Sequence, residues 1–556
     1  MPVRRRFGKR KRETMIVTQE DAIAARDIPA DLLATWSAEG FHHARSLAET
    51  MARAAHDHGD AEFHVLAEHR PTIDSLAAIH RAGLKLAGSL ERLGVARGDV
   101  IAMQMSNCAE NAIIFQAAAA LGCPILPIVH ILGPAELSFI LNDSGARIFF
   151  TPDHWKAIDF LDRVRRIDPR PPAMQHIVVG DTAPPGSLLW RNLPSGPLTP
   201  RSVAADETAL LLYTSGTTGR PKGVCHSART IHGELAAQSR HRAEGGTWLG
   251  PWPSGHIAGT LSILGHALLG RTTVVMESWD AAVAAEQIER HAIEQTSGTP
   301  FHLSGLLEAA TRDGRSLASL RQYVIGATTV PATLVAQAEA AGIRCCRCYG
   351  STEMPSITQC EPEDPLERRL TTDGRPTPGA EVRIVDDGGR DVPTGTAGEV
   401  AVRGPERFTG YLRVEDNDDA FLPGGWFLTG DIGVLDGENY LAITDRKKDI
   451  IIRGGENIAS REVEDLLLAV DGIAEVAVVG WPDPRLGEKI CAVIVARDGA
   501  TPPSIATIAA AFQKIGIARQ KTPEHVVLVE ALPRNASGKV LKAELRRSLR
   551  GDGPLA

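Results

Sequence analysis

After an apolar run at Leu210–Leu212 the chain reads Tyr213-Thr-Ser-Gly-Thr-Thr-Gly-Arg-Pro-Lys-Gly223. Gly216, Gly219 and Gly223 permit the positive-φ backbone that turns successive N–H groups towards one anion. Thr214, Ser215, Thr217 and Thr218 add hydroxyl donors, and Lys222 adds a compact positive charge. That combination is phosphate-binding chemistry. It is not the Walker pattern, in which Gly-Lys is followed by Ser or Thr, because Lys222 stands between Pro221 and Gly223. A flexible hydroxyl-rich linker has no need of Pro-Lys-Gly after so dense a run. The clustered thiols Cys345, Cys346 and Cys348 do not make a metal site. In a strand they alternate between faces, and no second Cys/His pair follows at ligand spacing; they are expected as reduced thiols.

Four more segments follow in order: Tyr349-Gly-Ser-Thr-Glu353, Gly425-Trp-Phe-Leu-Thr-Gly-Asp431, Thr444-Asp-Arg-Lys-Lys-Asp-Ile-Ile-Ile-Arg-Gly-Gly455 and Pro533-Arg-Asn-Ala-Ser-Gly-Lys539. Taken singly, each has a plainer reading. Gly-Ser-Thr-Glu suits a turn with a capping box, Gly430-Asp431 a β-turn, and 445–449 a solvated charge run. Taken with the loop, the chain from about residue 40 to 548 resembles the adenylate-forming superfamily: acyl-CoA and aryl-CoA synthetases, amino-acid adenylation domains and firefly-type luciferases. The resemblance implies ATP, Mg²⁺ and coenzyme A as cofactors and co-substrates, and it implies roles. Tyr349 lies against adenine, with Gly326 and Ala327 on the adenine side. Thr352 contacts the α-phosphate and Glu353 binds Mg²⁺. Asp431 accepts from the ribose hydroxyls, and Arg446 contacts ribose and phosphate. Lys539 bridges the attacking carboxylate and the α-phosphate. Lys448 is the hinge of a small rotating domain, Gly454 and Gly455 line the pantetheine channel, and His256 is the gate between acyl pocket and thiol channel. The implied activity is AMP-forming acyl-CoA synthesis. An acyl-AMP ligase loading a carrier protein and a catalytically silent acyl-binding homologue are the alternatives.

Acetate-type members of the superfamily carry Trp at the position of Gly350, so an acid larger than acetate is expected. Amino-acid-activating members carry an Asp after the gate, and the segment Pro253-Ser-Gly-His-Ile-Ala-Gly259 has none. Ile257, Thr260 and Phe301 are the expected acyl-pocket residues together with Gly350. They are apolar or small, which favours a fatty, alicyclic or steroid-derived acid over a charged one.

These residues need a scaffold. Leu76, Ile79, Leu84, Leu86, Leu90 and Leu93 fall near one helical stripe within 72–95, stopped by Gly94. Short apolar strands then alternate with helices as far as Cys348, which implies largely parallel sheets. The expected fold is α/β: a large N-terminal domain of parallel α/β sheets over 41–445, ending in a small β subdomain from about 371, and a small mobile α+β domain over 446–556. Residues 1–40 read as a basic tail and lead-in, with Met1 or Met15 as the start.

Hydrophobic residues make up 43% of 556, charged residues 23%, and the net charge is −8. This is an ordinary globular mix, and it argues against a nucleic-acid-coating protein. No run reaches the 18 or so apolar residues of a membrane span. A cytoplasmic enzyme is expected, with a carboxylic acid, ATP and coenzyme A as small-molecule partners and a homodimer as a further expectation.

Overall fold

The computed structural model describes residues 26–549 apart from 69, 195, 197, 199, 202, 215–219, 241–245, 329, 454–455, 484, 516–518 and 535–538. Two large sheets form the N-terminal part. In the first, the parallel strands Ile125–Ile128, Ile101–Gln104, Ile148–Pro152 and Gln175–Val179 lie side by side. In the second, Arg344–Tyr349, Gln322–Ile325, Gln295–Gly298, Trp248–Gly250, Thr273–Met276 and Glu62–Leu66 form a parallel run. One apolar cluster draws on both, with Ile101, Ile125 and Phe150 from one sheet and Phe63, Val65 and Val275 from the other. Helices Leu76–Arg92, Ala109–Leu121 and Ile257–Leu269 contribute to the same cluster. Strands buried on both faces read as continuous apolar runs, as these do.

The apolar stripe at 72–95 divides. Thr72–Ser75 is an edge strand, and the helix starts at Leu76, capped by the Ser75 hydroxyl, which accepts from the Ala78 N–H. Strand Thr208–Thr214 does not lead into a helix. It pairs antiparallel with Lys222–Ser227, with Thr214 opposite Lys222. An antiparallel sheet follows, built from Glu381–Val385, Gly398–Arg403, Phe421–Leu422, Trp426–Leu435 and Leu441–Arg446 around Val400, Val402, Phe408 and Phe427.

The last 100 or so residues form a separate sheet. Ile473–Asp483 and Gly487–Ala496 make its long hairpin, His525–Leu528 adds in parallel, and helices Ser460–Leu468, Ile505–Lys514 and Lys542–Leu549 accompany it. This α+β unit is tied back to the β subdomain. Asp445 accepts from the Ser460 hydroxyl at 3.1 Å, and Arg461 donates to the Ile443 carbonyl at 2.8 Å. Among the described residues no helix is long and apolar enough to cross a membrane, and no three metal-ligating side chains cluster, Cys345, Cys346 and Cys348 included.

Candidate active site

A cleft of about 970 Å³ is lined by Thr214, Lys222, His256, Ile257, Gly326, Ala327, Gly350, Thr352, Glu353, Arg446, Lys448 and Lys539, among others. Residues more than 300 positions apart in the chain thus share one cavity. Ser215, Gly216, Thr217, Thr218, Gly219, Gly454 and Gly455 lie outside the described residues.

Strand Arg344–Tyr349 delivers one wall. At its end the backbone of Gly350 passes so close to the next turn that a Cβ there would stand 1.9 Å from the Pro355 carbonyl oxygen. The turn is held by the Ser351 N–H on the Met354 carbonyl at 2.9 Å, and His226 Nε2 donates to the Thr352 carbonyl at 2.8 Å. Burial pushes the pKa of His226 down to about 4, so it remains a neutral donor. Glu353 receives a 2.8 Å hydrogen bond on Oε1 from the Tyr411 hydroxyl. The Lys222 ammonium lies 4.6 Å above the same Tyr411 ring and 3.9 Å from the Asp416 carboxylate. Ala327 takes a left-handed backbone, φ 65°, which costs energy for a residue with a Cβ and marks a constrained wall.

A cationic wall adjoins it. The Asp431 carboxylate accepts from the Tyr349 hydroxyl at 2.6 Å and pairs with Arg446 Nε at 2.6 Å. Tyr349 and Asp431 do not themselves line the cleft; they support Arg446, which does. Lys539 reaches the same wall from the last segment of the chain. Burial and then the Arg446 guanidinium push its pKa down to about 8. Lys448 is shifted to about 8 by burial, with Arg446 and Lys539 adding repulsion, and its ammonium has no hydrogen-bond partner among the described residues. Three cations crowded into a desolvated wall create a potential that favours an anion.

His256 caps helix Ile257–Leu269 and stacks on Trp252, with ring centroids 5.2 Å apart and planes at 12°. Burial lowers its pKa to about 4, so it is a flat neutral wall, not a cation.

Two acyl-pocket expectations are corrected. Phe301 is 68% exposed in the first turn of helix Pro300–Asp313 and does not line the cleft. Thr260 is buried away from the cleft, its hydroxyl donating to the Ser254 carbonyl at 2.8 Å. Tyr411 and Arg271 are among the lining residues that no motif announced.

Known proteins resemble this chain over most of its length. The AMP-binding enzyme family matches residues 51–412, and the AMP-binding enzyme C-terminal domain matches 462–539. A medium-chain fatty-acid–CoA ligase of Escherichia coli K12 is 35% identical over 85% of this chain and 85% of its own. A 3-[(3aS,4S,7aS)-7a-methyl-1,5-dioxo-octahydro-1H-inden-4-yl]propanoyl:CoA ligase of Mycobacterium tuberculosis H37Rv is 35% identical over 83% of this chain and 91% of its own. Among solved structures, O-succinylbenzoate coenzyme A synthetase of Bacillus subtilis, in complex with ATP and magnesium ion, superposes with a TM-score of 0.78 at 27% identity, covering 90% of this chain and 99% of that one. The chain belongs to the AMP-binding enzyme family, and it is an acid–thiol ligase of the acyl-CoA synthetase type.

Proposed function

We propose that the protein converts a carboxylic acid larger than acetate, with an apolar body, into its acyl-adenylate at the expense of ATP and then transfers the acyl group to coenzyme A. The observation that carries this is the meeting of Lys539, Arg446 and Lys448 with Thr214, Lys222 and the Thr352-Glu353 turn in one cleft. In the first step a carboxylate oxygen of the acid bonds to the α-phosphorus, and the bond to the pyrophosphate oxygen breaks. Two anions must approach, and the cations on both walls offset their repulsion. On this reading Lys539 touches both the carboxylate and the α-phosphate, with Thr352 on the phosphate side. Arg446, held by Asp431, keeps its orientation through the Tyr349 bond. In the second step the thiol sulfur bonds to the acyl carbonyl carbon, its proton is released to solvent, and the bond between that carbon and the phosphate oxygen breaks as AMP leaves. His256, neutral and flat, bounds the acyl side, and the small domain turns about Lys448 to bring Gly454 and Gly455 to the thiol.

Glu353 suits a magnesium ion arriving with ATP: a carboxylate is a hard oxygen ligand, and the Tyr411 bond fixes its orientation. When bound, the ion supplies charge neutralisation to the polyphosphate. Glu353→Gln keeps the shape and removes the charge. Activity at limiting Mg²⁺ is expected to fall on the order of 100-fold and to recover in part as Mg²⁺ is raised. Unchanged activity at limiting Mg²⁺ would take Glu353 out of this role.

The whole reading is tested by a carboxylic-acid panel scored for AMP formation with and without coenzyme A. Pyrophosphate release with no acid-dependent thioester would move the acceptor from coenzyme A to a carrier protein. No acid-dependent pyrophosphate release at all would leave only an acyl-binding role.

A further inference from the structure

Helix Ile257–Leu269 runs along the cleft from His256, and His256, Ile257, Ala258, Leu261 and Ser262 face into it. The helix stops at Gly270, in a left-handed backbone of φ 64°. The reversal sends Arg271 back along the helix, where its Nη1 lies 3.5 Å from the point a Cβ on Gly265 would occupy. The Arg271 guanidinium therefore lines the cleft about nine residues of helix away from His256, roughly 13 Å at the α-helical rise.

Among the described residues it faces no anion. The Trp248 ring lies 5.7 Å from the guanidinium carbon. The Trp248 indole N–H donates to Ser262 Oγ at 3.2 Å, and that hydroxyl donates on to the Ala258 carbonyl at 3.1 Å, so the polar groups beside Arg271 satisfy each other. Among the described residues no carboxylate pairs with Arg271 and no acceptor takes a hydrogen bond from its side chain. Burial alone pulls its pKa below the usual arginine range. A half-buried guanidinium offers five donors in a plane and stays charged; a carboxylate matches that fork in shape and cancels the charge, whereas a ketone or hydroxyl does only the first in part.

We propose that Arg271 is a specificity residue for a second carboxylate at the far end of the acid, so that the preferred substrate is a dicarboxylic acid with an apolar spacer. This rests on the acyl-CoA synthetase reading and narrows its substrate class. It departs from the expectation of an acid whose body is uncharged from end to end.

The test pairs α,ω-dicarboxylic acids with monocarboxylic and ω-keto acids of equal length, from about six to about fourteen carbons to bracket the helix span. Pyrophosphate release is read on the full chain. The best substrate is expected to be a diacid, favoured over its matched monoacid by roughly 10- to 100-fold in kcat/KM. Arg271→Leu should reverse the ratio by losing the diacid and improving the monoacid, and Arg271→Gln should fall between. An unchanged KM for ATP in both variants shows that they are folded. A wild-type preference for monoacids or keto acids at every length, or a ratio that Arg271→Leu and Arg271→Gln leave unmoved, overturns the proposal while the synthetase reading stands. Failure of every acid to release pyrophosphate overturns both.

Discussion

Lys539→Ala is expected to lower acid-dependent ATP–pyrophosphate exchange by roughly 100- to 1000-fold while leaving thioester formation from supplied acyl-adenylate close to wild type. The asymmetry follows from position. Lys539 belongs to the small C-terminal unit, yet its side chain lines a cleft built mostly from the large N-terminal part. A cation there serves the step in which two anions meet. On the proposed domain rotation it has no work in the second step, where a thiol attacks after the small domain has turned. Loss of both half-reactions in equal measure would make Lys539 a structural residue and end the domain-rotation account.

The same side chain gives a pH dependence with a definite sign. With its pKa lowered to about 8 by burial and by Arg446, Lys539 is charged below that pH and loses its charge above it. The first half-reaction should therefore decline as pH rises through about 8 in kcat/KM, which reports the free enzyme. The limb should lie at higher pH in kcat, because bound polyphosphate favours the protonated amine. Lys448, also near 8, titrates in the same window, so the limb belongs to the pair. Lys539→Arg keeps a charge at every accessible pH and should reduce the limb to the part Lys448 contributes and move it, even where its rate is lower. An alkaline limb of unchanged position in Lys539→Arg would assign it elsewhere.

The chemistry-bearing segments were legible because each is local: a Gly/Thr loop, a Ser-Thr-Glu turn, a Gly-Lys near the end. The alternation of helix and strand was legible for the same reason. What depends on register between distant strands was not. Tyr411 reaches Glu353 because Gly410–Tyr411 pairs with strand Lys222–Ser227, and nothing near residue 411 announces that. Arg271 depends on where a helix stops and which way the chain turns back. Two errors had signals that were passed over. Phe301 stands two residues from buried Leu303, roughly 200° around the helix, and so on the outer face. Ser75 is a better helix cap than any interior position of 72–95, and it marks where the helix begins.

Gly350→Ala is expected to damage ATP handling and folding together, not to narrow the range of acids. A glycine where acetate-type members carry Trp suggests an open pocket, and filling it with Gly350→Trp would then redirect the enzyme to the shortest acids. The backbone here speaks against that outcome. The new Cβ would lie 1.9 Å from the Pro355 carbonyl oxygen, 2.6 Å from its carbon and 3.3 Å from the Met354 carbonyl oxygen. These are main-chain atoms and cannot swing aside as a side chain would. The 351–355 turn must move as a unit, and it carries both the Thr352 carbonyl that His226 holds and the Glu353 carboxylate that Tyr411 holds. Overpacking of this kind costs about 1–3 kcal/mol. Thermal unfolding of Gly350→Ala should shift down accordingly, and KM for ATP should rise by roughly 10-fold or more as the turn leaves its partners. Gly350→Trp, with the same Cβ and a larger ring, should do worse on both measures with every acid tested. A stable Gly350→Ala variant with unchanged KM for ATP and a preference moved to shorter acids would restore the pocket-filling account of this position.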